Sequence, residues 1–290
     1  MIKFKDSSLI KTAATVHVKV SGAVHEPRAM HVRASGITQG IWSPPFIIYI
    51  SGTAMNFNLY NAFQTQFPGV TPRSYDTVVC VVQPDGLVGA GTTAGPAWTT
   101  GTGWPANIDL QLINLGHIVG AGGKGGDAFV AMADVGADSG AAGGTAVSTS
   151  VGLLIDNRAG EISGGGGGGG GAARATDGSW GYSGDAAGGG GGAGLNAGNG
   201  GTATGNTSSN GSPGTLTNRG TRGYVHGQCY GGHGGNLGAP GLSGFANPPA
   251  DQFWLPTSVG AGGAAGKAIV GISHVEFVEG LQGTLRGGVA

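Results

Sequence analysis

Eight consecutive glycines, Gly164–Gly171, set the sharpest limit on what this chain can fold into. Such a run has no side chain with which to build a core, a helix face or a strand face. Each ordered glycine also loses roughly 0.5–1 kcal/mol more conformational freedom than alanine. A second run spans Gly188–Gly192, and glycine pairs recur at 122–123, 125–126, 143–144, 200–201, 231–232, 234–235 and 262–263. Residues 116–266 hold 49 of the 65 glycines. A segment like this is either an unfolded linker or a structure whose interior admits no Cβ. Flexible linkers are Gly/Ser-rich, whereas these interruptions carry Trp180, Tyr182, Tyr224, Tyr230, Phe245, Phe253 and Trp254. One ordered arrangement calls for glycine runs. Polyproline-II helices, with about three residues per turn and no internal hydrogen bonds, can lie side by side and bond through their backbones. A Cβ in the interior would hold them apart, so the turns carry the remaining residue types. Uneven spacing between runs excludes a solenoid of fixed period.

The rest of the composition argues for order. Charged residues are 10% of the chain and hydrophobic ones 39%, the reverse of a disordered segment. A net charge of −1 gives nucleic acid nothing to bind. No apolar run reaches the length of about 18 residues that a membrane helix needs, so no membrane insertion is expected. The start, Met1-Ile-Lys-Phe-Lys-Asp6, has no apolar stretch of signal-peptide length, and synthesis in the cytoplasm as a soluble chain is expected. Cys80 and Cys229 are too few for a disulfide scaffold. They read as free thiols, with one long-range bridge as the alternative.

Glycine density divides the chain into 1–43, 44–115, 116–266 and 267–290. The first segment contains a duplication: Val16-His-Val-Lys-Val-Ser-Gly22 is echoed by Met30-His-Val-Arg-Ala-Ser-Gly36. Each copy alternates and stops at Ser-Gly, the pattern of a short strand and turn. Two units this small cannot bury a core alone. They either pair with other subunits or a partner, or form a plain hairpin capping the next domain. In 44–115, Phe46–Gly52, Thr77–Val82 and Ile108–Ile113 read as strands, Asn56–Phe63 as a short helix, and Pro84-Asp85-Gly86 as a turn. His117–Gly120 opens the glycine-rich body. Val151–Ile155 and Ala268–Ile272 are strand-like pieces able to tie that body to a core. The fold class is all-β with a glycine-rich polyproline-II (polyglycine-II) bundle and few or no α-helices.

Two stretches share a pattern of strand, Asn-containing turn, second short strand and glycine run. They are Trp104–Gly126, which ends Asn114-Leu-Gly-His-Ile-Val-Gly-Ala-Gly-Gly-Lys-Gly-Gly126, and Leu154-Ile-Asp-Asn-Arg-Ala-Gly-Glu-Ile-Ser163 with its glycines. This pattern resembles glycine-rich bacteriophage tail-fibre and tail-tip proteins. The body resembles the polyglycine-II sandwich of the distal adhesins of T-even-like phages, and most of the chain is covered. The front differs from those adhesins, which leaves the mode of attachment open. The resemblance implies a receptor-binding protein of the virion's distal tail, in which a rigid glycine scaffold displays variable loops to the host surface. The loops implied are Asp177–Tyr182, Asn206–His233 and Phe245–Trp254. The receptor contacts implied are Trp180, Tyr182, Tyr224, His226, Tyr230, His233, Phe245, Phe253 and Trp254. Tyrosine and tryptophan suit such loops because they give rigid contact area at low entropic cost; the plainer alternative is that they pack on the sides of the bundle. The partners implied are an outer-membrane protein, pilus or surface glycan, and other tail or baseplate proteins through the N-terminal region. A homotrimer is the default, with a single copy capping a fibre as the alternative.

No enzyme and no cofactor are expected. Gly120-Ala-Gly-Gly-Lys-Gly125 matches a dinucleotide fingerprint by letters alone. His226, Cys229 and His233 have metal-like spacing without a fourth ligand, so no metal is assigned. The carboxylates show no pairing for glycoside cleavage. A polysaccharide depolymerase, a structural tail protein and an ice-binding-like protein are the remaining readings. The last would keep strict short repeats, which this chain lacks.

Overall fold

The structure, a computed structural model, describes the backbone of 18–20, 23–25, 30–34, 37–42, 44–131, 134–176, 184–225, 227–247, 255–280 and 282–290, with side chains from 44 onward. The chain forms two compact units, Met1–Phe46 and Ile47–Ala290. The first contains two antiparallel hairpins: Val18–Val20 with Ala23–His25, and Met30–Ala34 with Ile37–Trp42. The duplicated motif supplies the opening strand of each hairpin.

The second unit is built on a parallel solenoid of three faces. Its first coil runs Phe46–Ile50, Thr53–Met55, Phe57–Asn58. The second runs Thr77–Val82, Leu87–Gly89, Trp98–Thr99. The third is Asp109–Asn114, His117–Val119, Val147–Ser148. The fourth is Leu153–Asp156, Glu161–Ser163, Ile269–Val270. Val275–Phe277 and Thr284–Arg286 begin a fifth. Equivalent strands stack into sheets of five, five and four. In-register pairing places like residues over like: Cys80, Leu112, Ile155 and Phe277 on one face, Val88, Ile118, Ile162 and Leu285 on the next, Phe57, Trp98, Val147 and Ile269 on the third. The period-two alternation of each strand decides which residues face in, and the rows of the middle coils form the core, while Leu285 at the end of the second row is exposed. A buried asparagine pair braces one corner. Asn114 Nδ2 donates to Asn157 Oδ1 at 2.7 Å and to the Glu161 carbonyl at 3.1 Å. The helix Leu59–Gln66 begins three residues later than its apolar spacing suggests, because Asn58 caps it by accepting from Asn61 N–H at 3.0 Å.

A solenoid therefore exists without a fixed period. Coils three and four are each interrupted between their second and third strands, by residues 120–146 and 164–268. Segments 44–115, 116–266 and 267–290 all contribute strands to the same sheets. The interruptions run outward and back as ten segments laid side by side, at the centre of which is Gly164–Gly171. Gly165, Gly168 and Gly171 donate to the carbonyls of Gly144, Ala141 and Asp138. Gly166 and Gly169 donate to Ala193 and Gly190, while Gly167 and Gly170 donate to Ala239 and Leu242. Every third residue thus addresses the same neighbour. The carbonyls follow the same rule toward 120–126, 232–238 and 260–266, so six segments surround the central one. A Cβ built on Gly168 would run into the Lys124 carbonyl, and one on Gly167 into that of Gly263.

Candidate binding surface at the far end of the glycine segments

At the end away from the solenoid the described chain continues out of the glycine array at 128–131 and 134–137, 172–176 and 184–187, 203–210, 224–225 and 227–230, and 245–247 and 255–259, which border five excursions. Short sheets pin the bases of these excursions. Ala128–Ala131 pairs with Asp134–Ala137 and Ala203–Thr204. Ala172–Ala175 lies between Gly184–Ala187 and Thr257–Val259. Cys229–Tyr230 lies between Tyr224–Val225 and Phe245–Ala246. Beneath them the packing is small and apolar, with Ala128, Val130, Ala173 and Ala186 in one cluster and Ala187, Val225 and Cys229 in another.

One charged pair is buried in this support. Arg174 Nε donates to Asp185 Oδ2 at 2.9 Å, and Arg174 Nη1 donates to the Asn247 carbonyl at 2.9 Å. The guanidinium therefore joins Ala172–Ala175 and Gly184–Ala187 to Asn247. The Cys229 thiol lies buried nearby, 3.5 Å from the Asp185 carbonyl. Burial first, and then the Asp185 charge, push it up to about 12, against an opposing effect of Arg174.

Above the support stands a row of rings. Tyr224 and Tyr230 are cross-strand partners with centroids 5.1 Å apart, and Tyr230 and Phe245 are partners at 5.8 Å. Cross-strand partners share a sheet face, so the three form one ladder. Its outer members are well exposed, Tyr224 at 50% and Phe245 at 55%. The Arg222 guanidinium carbon lies 4.8 Å from the Tyr230 centroid, a cation–π distance. His233 Nδ1 accepts the Arg222 backbone N–H at 3.3 Å. Burial, then Arg219 and Arg222, hold His233 below its usual 6.5.

Of the residues expected to form the site, the structure brings Tyr224, Tyr230 and Phe245 together. His233 sits one step down, inside a glycine segment rather than on a loop. Trp180, Tyr182, His226, Phe253 and Trp254 lie outside the described residues. Asn206–His233 is not one loop. Its middle turns at 215–219, the solenoid end of the array, where Thr215 and Asn218 exchange backbone and side-chain hydrogen bonds. The glycines at 211, 214, 220 and 223 signal this, because they continue the three-residue spacing. Sequence reasoning passed over Arg174, Arg219 and Arg222. Both cysteines are free and buried. Among the described residues, no three His, Cys, Asp or Glu side chains gather as metal ligands, and no helix is long and apolar enough to cross a membrane.

Comparison with known proteins follows the same geometry. A family model described as phage tail fibre adhesin Gp38 matches residues 45–290. Among solved structures, the crystal structure of the gp37-gp38 adhesin tip complex of the bacteriophage S16 long tail fiber is similar. Its TM-score is 0.52 at 28% identity, over 86% of this chain and 83% of that one. No curated protein matches the chain.

Proposed function

From the premise that the chain belongs to the Gp38 family of phage tail fibre adhesins, we propose that the five excursions at the far end of the glycine array meet the bacterial receptor. The observation that carries this is the array itself. Its interior bonds are backbone to backbone, so the excursions can change sequence without disturbing a packed core. The three-residue period supports reading the array as a polyglycine-II sandwich. It is a spacer between the solenoid and the contact surface whose central segment is glycine backbone alone. We assign contact to Tyr224, Tyr230 and Phe245, and to Trp180, Tyr182, His226, Phe253 and Trp254 on the same excursions.

The similar structure is a complex of two different tail proteins. This supports a fibre protein as the partner of this chain, with the adhesin at the distal tail of the virion. We assign the attachment to residues 1–43, whose paired hairpins lie before the family match begins. The role is binding and not catalysis.

Competition for adsorption tests the reading. Purified protein is incubated with susceptible cells and the remaining phage adsorption is counted, beside a Y224A/F245A variant of unchanged melting temperature. The wild type should bind cells and block phage, and the variant should do both less well. A folded wild type that neither binds nor competes on any susceptible host would refute the assignment.

A further inference from the structure

Asparagine followed by glycine is the sequence step most prone to lose its side-chain amide, because a residue without Cβ leaves its own main-chain nitrogen unshielded. The chain has two such steps, Asn199-Gly200 and Asn210-Gly211. They stand on neighbouring outer segments of the glycine array, joined where Gly211 N–H donates to the Gly201 carbonyl at 3.0 Å. Both asparagines are exposed to water. Their hydrogen bonding is different.

At Asn210 both reacting groups are held. Its Oδ1 accepts Ala203 N–H at 2.7 Å, and the Gly211 nitrogen, the nucleophile of the reaction, has its proton on the Gly201 carbonyl. At Asn199 neither group is held. Among the described residues the Asn199 side chain has no hydrogen-bond partner and Gly200 N–H has no acceptor. The segment is anchored to either side instead, by Gly198 N–H on the Gly192 carbonyl at 3.0 Å and Gly201 N–H on the Gly189 carbonyl at 2.7 Å. To bring the Gly200 nitrogen onto Asn199 Cγ, the peptide unit between them must turn. That turn opens one bond, from Gly125 N–H to the Asn199 carbonyl at 2.9 Å. The same turn at Asn210 opens two.

We propose that Asn199 is a site of spontaneous deamidation and that the fold protects Asn210. The Gly200 nitrogen gives its proton to hydroxide and forms a bond to Asn199 Cγ. The Cγ–Nδ2 bond breaks, and ammonia leaves with a proton taken from water. Water then opens the five-membered imide. Attack at Cγ gives an aspartate with the ordinary backbone, and attack at the main-chain carbonyl gives isoaspartate. The balance is one water consumed and one ammonia released. Either product puts a carboxylate into residues 186–250, a stretch with no Asp or Glu of its own. Isoaspartate also adds a main-chain atom between Gly198 and Gly201, whose bonds to the interior depend on the three-residue repeat. The excursion that begins at Ala203 hangs on this segment.

The test incubates the full chain at about pH 9, below its melting temperature, beside the same chain unfolded in urea. Mass spectrometry with fragmentation locates the loss at each position over time, and ion exchange follows the acidic form. The unfolded chain should lose both amides at similar rates. In the folded chain Asn199 should react about fivefold faster than Asn210 or more, the factor that one extra hydrogen bond supplies. N199S should abolish most of the acidic form. Equal rates at the two positions in the folded chain overturn the proposal. So does a folded chain that keeps Asn199 while the unfolded chain loses it, or an acidic form that accumulates as fast in N199S.

Discussion

Replacing Gly168 by alanine tests the central structural claim, that glycine is required because backbones touch. Gly168 sits in the middle of the central segment, donating to the Ala141 carbonyl at 2.8 Å and accepting from Gly263 N–H at 2.7 Å. Its added methyl would meet the Lys124 carbonyl and the Gly125 nitrogen, which are backbone atoms that cannot rotate away. Overpacking of this kind costs about 1–3 kcal/mol. Separating the segments weakens two hydrogen bonds of about 1 kcal/mol each. The sum, about 3–5 kcal/mol, corresponds in a chain of this size to a fall in melting temperature of roughly 6–20 °C. Gly152 is the control, because a Cβ there meets nothing within 4 Å. Alanine at 152 should instead stabilise by about 0.4–1 kcal/mol through the unfolded chain. Thermal and urea unfolding of G168A, G152A and wild type decide the matter. If G168A melts with G152A, at or above wild type, the segments are not packed backbone on backbone.

Further expectations concern the core, the support and the titrating groups. Asn114→Ala leaves Asn157 Oδ1 without its buried donor and should cost about 1–3 kcal/mol in urea unfolding. Asn114→Asp should not restore stability, since a carboxylate cannot donate. Arg174→Met strands the buried Asp185 carboxylate and should cost about 3–5 kcal/mol. The double change R174M/D185L should recover most of that loss, and a double variant as unstable as the single would refute the account. Cys80 and Cys229 are both pushed up to about 12, chiefly by burial. Ellman's reagent at pH 8 should therefore find no fast thiol in the native protein and two after unfolding. His233, held below 6.5, favours the neutral imidazole, so the unfolded chain takes up the proton first. Its contribution to stability is whole above about 6.5 and is lost as pH falls from there through the folded-state midpoint. An NMR titration placing that midpoint at or above 6.5 would contradict this.

Local structure was largely legible. The β-branched run at Thr77–Val82 is a strand with those bounds, and Ile108–Ile113 is displaced by one residue to Asp109–Asn114. Both were readable because alternation and burial agree in them. The solenoid was hidden because its strands are far apart in sequence: Ser163 and Ile269 belong to one coil, with more than a hundred residues between them. No local period records such a return. At the far end, the aromatic ladder could be read as residue types but not as a surface, since adjacency of Tyr230 and Phe245 depends on two array segments lying side by side. Arg219 and Arg222 were readable in principle. Their spacing of three, between glycines, marks outward positions once the period of the array is known. Arg174 carried no such mark, because only the fold shows that its guanidinium is buried against Asp185.

The junction between solenoid and array explains how a chain with so few interior side chains keeps its register. Val119 and Ser163 are parallel partners on the second face, and the ladder continues without a break into glycine. Gly120, Gly123 and Gly126 donate to Ser163, Gly166 and Gly169 in turn. The third face does the same on the return. Ala146 donates to Lys267, preceded by Gly143 to Ala264 and Gly140 to Ala261. The bonding period changes from two to three at these residues while the pairing stays the same. Register in the array is therefore inherited from buried rows such as Ile118 on Ile162 and Val147 on Ile269, where a one-residue slip would turn every core residue outward. Glycine alone could not fix it, since each glycine is interchangeable with the next. The far-end sheets then receive segments already aligned, so the excursions need only enough small apolar packing to close them. Their exposed residues, Tyr224 and Phe245 among them, carry no duty in the alignment.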